Sequence, residues 1–265
     1  MRISDVWRRV GRLWAAGLVL FALRLAQNLT GFDPDTGLSR PSLPGVLLAV
    51  LLAAAAVYEL LRSRRLDRTR APFTRRFAPP EREVPLLAAG CFLLIAGGGL
   101  TAAAGGGGAA GLAAVAAGAL AVVSGGALLY LVRTMRTGGQ PTVAPLLPAM
   151  FFGVFWVLAV YLPAAADPVL ARYYLPVLAC ALAAYAFSLL ADFLRGESSP
   201  RGFTPMADLA VLASLAALAD SGAAQRLLLG GCVLVLSGFL LLQRETPEEE
   251  PAPAAEKPAA EGGAR

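Results

Sequence analysis

Long apolar runs recur along this chain, separated by short loops whose arginines fall almost entirely on alternate sides. That pattern leaves few folds open. A run of about 20 apolar residues matches the thickness of a bilayer's hydrocarbon core. Only helices and closed barrels satisfy every backbone polar group there, and runs this long are helical. The sequence therefore predicts an all-α, polytopic transmembrane bundle. Charged residues make up 15% of the chain against 57% hydrophobic, where a soluble domain carries about 25% charged. A bilayer imposes this shortage, because a charge at its centre costs at least about 2.5–3.5 kcal/mol.

Eight spans are expected, roughly at 10–28, 43–61, 84–104, 110–132, 146–164, 170–193, 205–219 and 226–243. The seventh is short. The third and fourth are divided only by Gly105 to Gly108, where glycine suits a tight turn because it accepts positive φ. Six or seven spans would follow if either weak segment failed to cross.

Arginine placement tests the count. With the N-terminus inside, the inner segments hold Arg2, Arg8, Arg9 and Arg12, then Arg62, Arg64, Arg65, Arg68, Arg70, Arg75, Arg76 and Arg82. Arg133 and Arg136 follow, then Arg195 and Arg201, then Arg244; the outer loops hold only Arg40, Arg172 and Arg226. Eight spans give this asymmetry, which places both ends in the cytoplasm of a cell-membrane protein. Residues 1–243 form the transmembrane domain; 244–265, rich in Glu, Pro, Ala and Gly, are expected to be a disordered cytoplasmic tail. Within 1–12, Arg8, Arg9 and Arg12 alternate with Val6, Trp7 and Val10, a basic amphipathic stretch expected in the headgroup region ahead of the first span. A cleaved signal peptide is the rival reading; Arg24 interrupts its apolar run, which favours a retained anchor.

Several chemistries lose their residues. The chain has no histidine, which removes imidazole bases, His metal ligands and the Ser-His-Asp triad. Cys91, Cys180 and Cys232 each sit in an apolar run with no CxxC spacing and are expected to be buried small hydrophobes. No catalytic residue, metal ligand or cofactor is predicted. A pI of 9.5 in a soluble chain would suggest nucleic acid. Here the arginines flank apolar runs, so the bilayer and the anionic lipid headgroups of its inner face are the expected partners. The inner loop 62–83 should hold its arginines against that leaflet, and a membrane-protein partner is left open.

Ala110, Ala114, Gly118, Val122 and Gly126 repeat every fourth residue, as on a closely packed helix face. Pro145 and Pro148 open the fifth span, and Pro176 predicts a kink in the sixth. Trp14, Tyr130, Tyr161, Tyr173 and Tyr174 fall near the membrane interfaces. A four-plus-four duplication is suggested by two echoes: Glu59-Leu-Leu-Arg62 with Asp192-Phe-Leu-Arg195, and Ser124-Gly125 with Ser237-Gly238.

Two polar groups stand out. In the outer part of the first span, Arg24 is followed by Gln27 and Asn28, and an intramembrane charge is a functional candidate by default. It can instead snorkel outward, or pair with Asp33, Asp35, Asp167 or Asp220. Asp33-Pro-Asp35-Thr-Gly37 lacks the ligands of a calcium loop and reads as an Asp-Pro turn. Asn28-Leu-Thr30 matches a glycosylation sequon. Near the inner helix ends lie Glu59, Asp192 and Asp208. Glu59 and Asp192 can pair with Arg62 and Arg195 at i,i+3. Asp208 suits a first helical turn capped by Thr204 and begun by Pro205. The alternative is a proton or cation path through these three acids.

Arg24, Gln27, Thr30, Phe32, Asp35-Thr-Gly-Leu38, Pro41 and Pro44 resemble a pattern in polytopic membrane proteins of anaerobic gut bacteria. Phe77-Ala-Pro79, Phe155-Trp156, Tyr161 with Ala166-Asp-Pro-Val-Leu170, and Leu218-Ala-Asp220 extend the resemblance over most of residues 20–220. It implies a multi-span fold and carries no activity, ligand or site.

The leading expectation is a non-enzymatic integral membrane protein, carrier-like or a subunit of a membrane complex. A regulatory or scaffold partner acting through loop 62–83 and the tail is the alternative. A lipid-modifying enzyme would need polar side chains converging on a lipid-sized pocket.

Overall fold

The computed structural model describes residues 3–33, 38–68, 73–165, 169 and 173–244. Among them lie nine α-helices: α1 (Ile3–Thr30), α2 (Leu43–Ser63), α3 (Phe73–Arg76), α4 (Val84–Ala103), α5 (Gly108–Arg136), α6 (Leu147–Ala164), α7 (Tyr174–Arg195), α8 (Pro200–Ala217) and α9 (Ala223–Leu242). Each predicted span falls on one of them, and α3 is a single turn in the inner loop. Seven helices are long and apolar enough to cross a membrane, so the chain is a multi-pass helical membrane protein. The seventh predicted crossing, on α8, does not meet that standard.

Helices α4 to α9 each pack on the next, and α9 returns to α4, closing a six-helix ring. Outside this ring α1 lies on α8 and α9, and α2 lies on α1 and α8. Helix α8 therefore has protein around it. Phe203, Ala207, Ala210, Val211, Ala213, Ala216 and Ala217 are buried, as are Thr204, Asp208 and Ser214. Its solvent is the bundle, so it needs neither the length nor the uniform apolarity that lipid demands. At the other extreme α2 buries only Leu48, Glu59 and Ser63, and most of its apolar surface is exposed.

Helices α1 and α8 run parallel. Arg9 meets Asp208, a side chain at Gly17 would strike Leu215, and Arg24 meets Asp220, so the two sequences rise together along the contact. Around α4, glycines bring backbones together. A Cβ at Gly98 would stand 2.6 Å from the Gly118 carbonyl oxygen of α5, and one at Gly90 would stand 3.0 Å from the Gly231 carbonyl of α9. Such approach is how small residues hold helices together in lipid, where apolar burial supplies no drive.

The structure corrects several expectations. The every-fourth-residue face on α5 does not pack as one stripe: Gly118 is buried, but Val122 and Gly126 are exposed. Four residues overshoot a turn of about 3.6, so the row drifts around the helix. The packed face instead carries Gly111, Ala117, Gly118, Ala121, Ser124, Gly125 and Leu128. Pro176 is the third residue of α7, within the first turn, where no preceding helical hydrogen bond is broken. The prolines inside helices are Pro163 of α6 and Pro205 of α8.

Helix α8 begins at Pro200, so Pro205 does not start it and Asp208 lies beyond its first turn. Thr204 does not cap; its hydroxyl donates to Gln243 Oε1 at 2.9 Å. The basic N-terminal stretch is continuous with the first span in α1, and its Val10 is buried against the bundle. Gly108, at φ +78°, does hold the positive-φ turn between α4 and α5.

Part of loop 62–83 packs on protein. Its segment Phe73 to Ala78 is folded onto the bundle, with Phe73, Arg76 and Phe77 buried. Arg76 reaches Asp67 at 2.7 Å. Phe77 stacks on Phe73 and meets Phe193, Phe203 and Phe239 edge-on. The Ala78 amide donates to the Leu242 carbonyl at 2.8 Å, and the Arg244 amide to that of Arg76 at 2.7 Å. These bonds tie the loop to the end of α9. The expected tail lies outside the described residues from 245 onward.

Candidate functional site

The α1–α8 seam carries two charged clusters, one near each end. Arg9 and Arg24 are fifteen positions apart on one helix, about 22 Å at 1.5 Å per residue.

In the cluster around Arg24, its Nε lies 2.9 and 2.8 Å from the two carboxylate oxygens of Asp220. The side chains are 1% and 6% exposed, so the pair is sealed within protein. Arg24 also donates to Gln27 Oε1 at 2.8 Å, Asn28 donates to Asp220 Oδ1 at 2.7 Å, and the guanidinium lies 5.3 Å from the Tyr174 ring centre. Burial pushes the Asp220 carboxyl up, while the Asn28 hydrogen bond and the Arg24 charge pull it back. Gln27 reaches α2 because Gly31 and Gly45 have no side chain: a Cβ at Gly45 would stand 2.7 Å from Gln27 Nε2.

Of the residues predicted for this cluster, the structure joins Arg24, Gln27 and Asp220. Asp33 belongs to the neighbouring turn, where it pairs with Arg40. Asp35 and Asp167 lie outside the described residues. Asn28 and Tyr174 complete the cluster. The sequence placed Asn28 beside Arg24 and Tyr174 at an interface, but nothing in it aimed either at Asp220.

In the cluster around Asp208, that residue of α8 accepts from Arg9 of α1 and from Arg62 of α2, the latter at 3.1 Å. The same Arg62 nitrogen reaches Glu59 at 3.3 and 3.4 Å. Glu59 and Asp208 are both buried. A cavity of about 460 Å³ opens among α1, α2 and α8, lined by Arg9, Arg12, Tyr58, Glu59, Arg62 and Asp208 over apolar Leu13, Ala16, Ala55 and Leu212. That volume suits a small ligand. Asp192 takes no part; it meets only the Arg195 side chain, at 3.4 Å, on partly exposed surface. The three predicted inner acids therefore do not form one path. The expected i,i+3 pair of Glu59 with Arg62 is present; nothing in the sequence signalled that Arg9 and Arg62 both reach Asp208, because α1, α2 and α8 meet through tertiary packing.

The two sequence echoes occupy unlike surroundings. Glu59 joins a four-charge cluster and Asp192 a single pair. Ser124 donates to its own helix at Leu120, while Ser237 accepts from Trp14 Nε1 at 2.9 Å. Cys91, Cys180 and Cys232 are free and buried in three different helices. No protein-family model, curated protein or solved structure matches this chain.

Proposed function

We propose that this chain is a carrier-like integral membrane protein with eight crossings and both ends in the cytoplasm, binding a small charged solute in the cavity among α1, α2 and α8. The cavity carries the reading: three arginines and two buried acids converge on it at the predicted inner end. At the outer end of the same seam the Arg24–Asp220 pair is closed by Gln27, Asn28 and Tyr174. An open inner site beneath a sealed outer one is the arrangement alternating access requires. The parallel run of α1 and α8 supports eight crossings, because a first and a seventh crossing point the same way. The scaffold alternative draws less support, since part of loop 62–83 is buried against the bundle.

The convergence also favours a second reading, a lipid-modifying enzyme. It is the weaker of the two, because both acids are held by arginines and Tyr58 is the one hydroxyl among the lining side chains.

Cysteine labelling tests the proposal. The native cysteines are buried, so an introduced one reports with little background. Arg12→Cys should react with a membrane-impermeant maleimide from the cytoplasmic side alone. Adding Asp220→Asn, which loosens the outer seal, should lower that reactivity and raise that of a reporter at position 28 from outside. Reactivity at position 12 from the outer side, or no response to Asp220→Asn, rules out the carrier-like reading.

A further inference from the structure

We infer that the inner cavity takes a primary ammonium joined to a phosphate, as in an aminophosphate solute or the headgroup of an aminophospholipid; this rests on the cavity being the working site. Two observations, of opposite charge preference, point there. First, Asp208 is 1% exposed, yet its Oδ1 accepts no hydrogen bond while its Oδ2 takes Arg9 and Arg62. A buried carboxylate oxygen without a donor is costly; Oδ1 is covered by protein, and a turn of the carboxylate presents it to a ligand donor in the cavity that Asp208 lines. Glu59 beside it receives only the long Arg62 contacts of 3.3 and 3.4 Å, against about 2.7–2.9 Å for a strong charge-assisted bond. This wall of the cavity has acceptor capacity for an N–H-bearing cation.

Second, Arg12 stands at the exposed mouth with no carboxylate partner among the described residues, one helical turn from Arg9. Its guanidinium fork suits a phosphate. With Arg9, Arg12 and Arg62 against Glu59 and Asp208, the lining carries one net positive charge. A ligand with an ammonium toward Asp208 and a phosphate toward Arg12 matches both walls. A simple anion leaves Asp208 Oδ1 unsatisfied, and a simple cation leaves Arg12 unmatched.

The test titrates the purified full-length protein in detergent with phosphoethanolamine, inorganic phosphate, ethanolamine, and short-chain phosphatidylethanolamine and phosphatidylcholine. Phosphoethanolamine or the ethanolamine lipid should bind at least about tenfold more tightly than phosphate or ethanolamine alone. The choline lipid, which lacks ammonium N–H donors, should bind weakly. Preference for the soluble probe identifies a solute and preference for the lipid a headgroup; both support the inference. Arg12→Gln, at an exposed and unpaired position, should weaken the preferred probe about tenfold without loss of fold. Asp208→Asn should erase the preference for ethanolamine over choline. Phosphate binding as tightly as phosphoethanolamine, unchanged affinity in Arg12→Gln, or no binding by any probe overturns the inference. Absent binding alongside cytoplasm-only labelling at position 12 rejects this ligand class and leaves the carrier-like reading standing; absent binding without such labelling rejects both.

Discussion

Arg24 and Asp220 stand 196 residues apart in sequence and join in an ion pair almost wholly withdrawn from solvent. Breaking such a pair from one side leaves a buried charge unmatched. Arg24→Ala or Asp220→Ala should each destabilise the protein by about 3–5 kcal/mol. The double variant Arg24→Met with Asp220→Leu should recover most of that loss, since no charge is stranded. Unfolding curves in detergent micelles read the difference; a double variant as unstable as the sum of the singles would show that the two act independently.

Arg62 serves two buried acids at once, whereas Arg195 meets Asp192 on partly exposed surface. Arg62→Gln should therefore cost about 2–4 kcal/mol, and Arg195→Gln under about 1 kcal/mol. The same unfolding measurement compares them, and equal losses would contradict the described burial.

Gly118 and Gly126 lie on one helix in opposite circumstances. A Cβ at Gly118 meets the Ala102 amide and Gly98 carbonyl at 2.5 Å, both backbone atoms that cannot turn aside, while one at Gly126 meets nothing within 4 Å. Gly118→Val should force α4 and α5 apart and destabilise by about 1–3 kcal/mol or more. Gly126→Ala should be neutral or stabilise by up to about 1 kcal/mol, because alanine favours the helix. Thermal melts of the two variants decide it.

Phe77 ties loop 62–83 to the bundle through three ring contacts, with Phe193, Phe203 and Phe239. Phe77→Ala should cost about 3–5 kcal/mol and release the segment tied to the end of α9. Limited proteolysis should then cut within 62–83 faster than in the parent, and unchanged cleavage would mean that the backbone bonds alone hold the loop.

The sequence was most legible where lipid is the solvent. All eight predicted spans fall on helices, because hydrocarbon demands length and apolarity that a hydropathy reading detects directly. Legibility fell where protein replaces lipid. In α8 the sequence suggested Thr204 as cap and Asp208 as a first-turn acid, yet the helix starts at Pro200, Thr204 reaches Gln243 just past α9 and Asp208 takes Arg9 and Arg62 from α1 and α2. The sequence named Asp220 among four outer acids for Arg24, but local spacing holds no information on which one the fold delivers. The i,i+3 spacing placed Arg62 beside Glu59, but among so many arginines nothing local showed that Arg9 and Arg62 would converge on Asp208.

The enclosure of α8 has a consequence for how the chain is assembled. A ribosome delivers the N-terminal helix first, so Arg24 reaches the bilayer long before Asp220 has been made. Until then the guanidinium has no carboxylate on α8, and α8 when it emerges is itself a poor lipid-soluble segment. Each supplies what the other lacks. The ion pairs of this seam therefore wait on the far end of the chain: Arg9 and Arg24 precede the acids that match them by 199 and 196 residues, and the pairing completes only once α8 and the turn after it have been made.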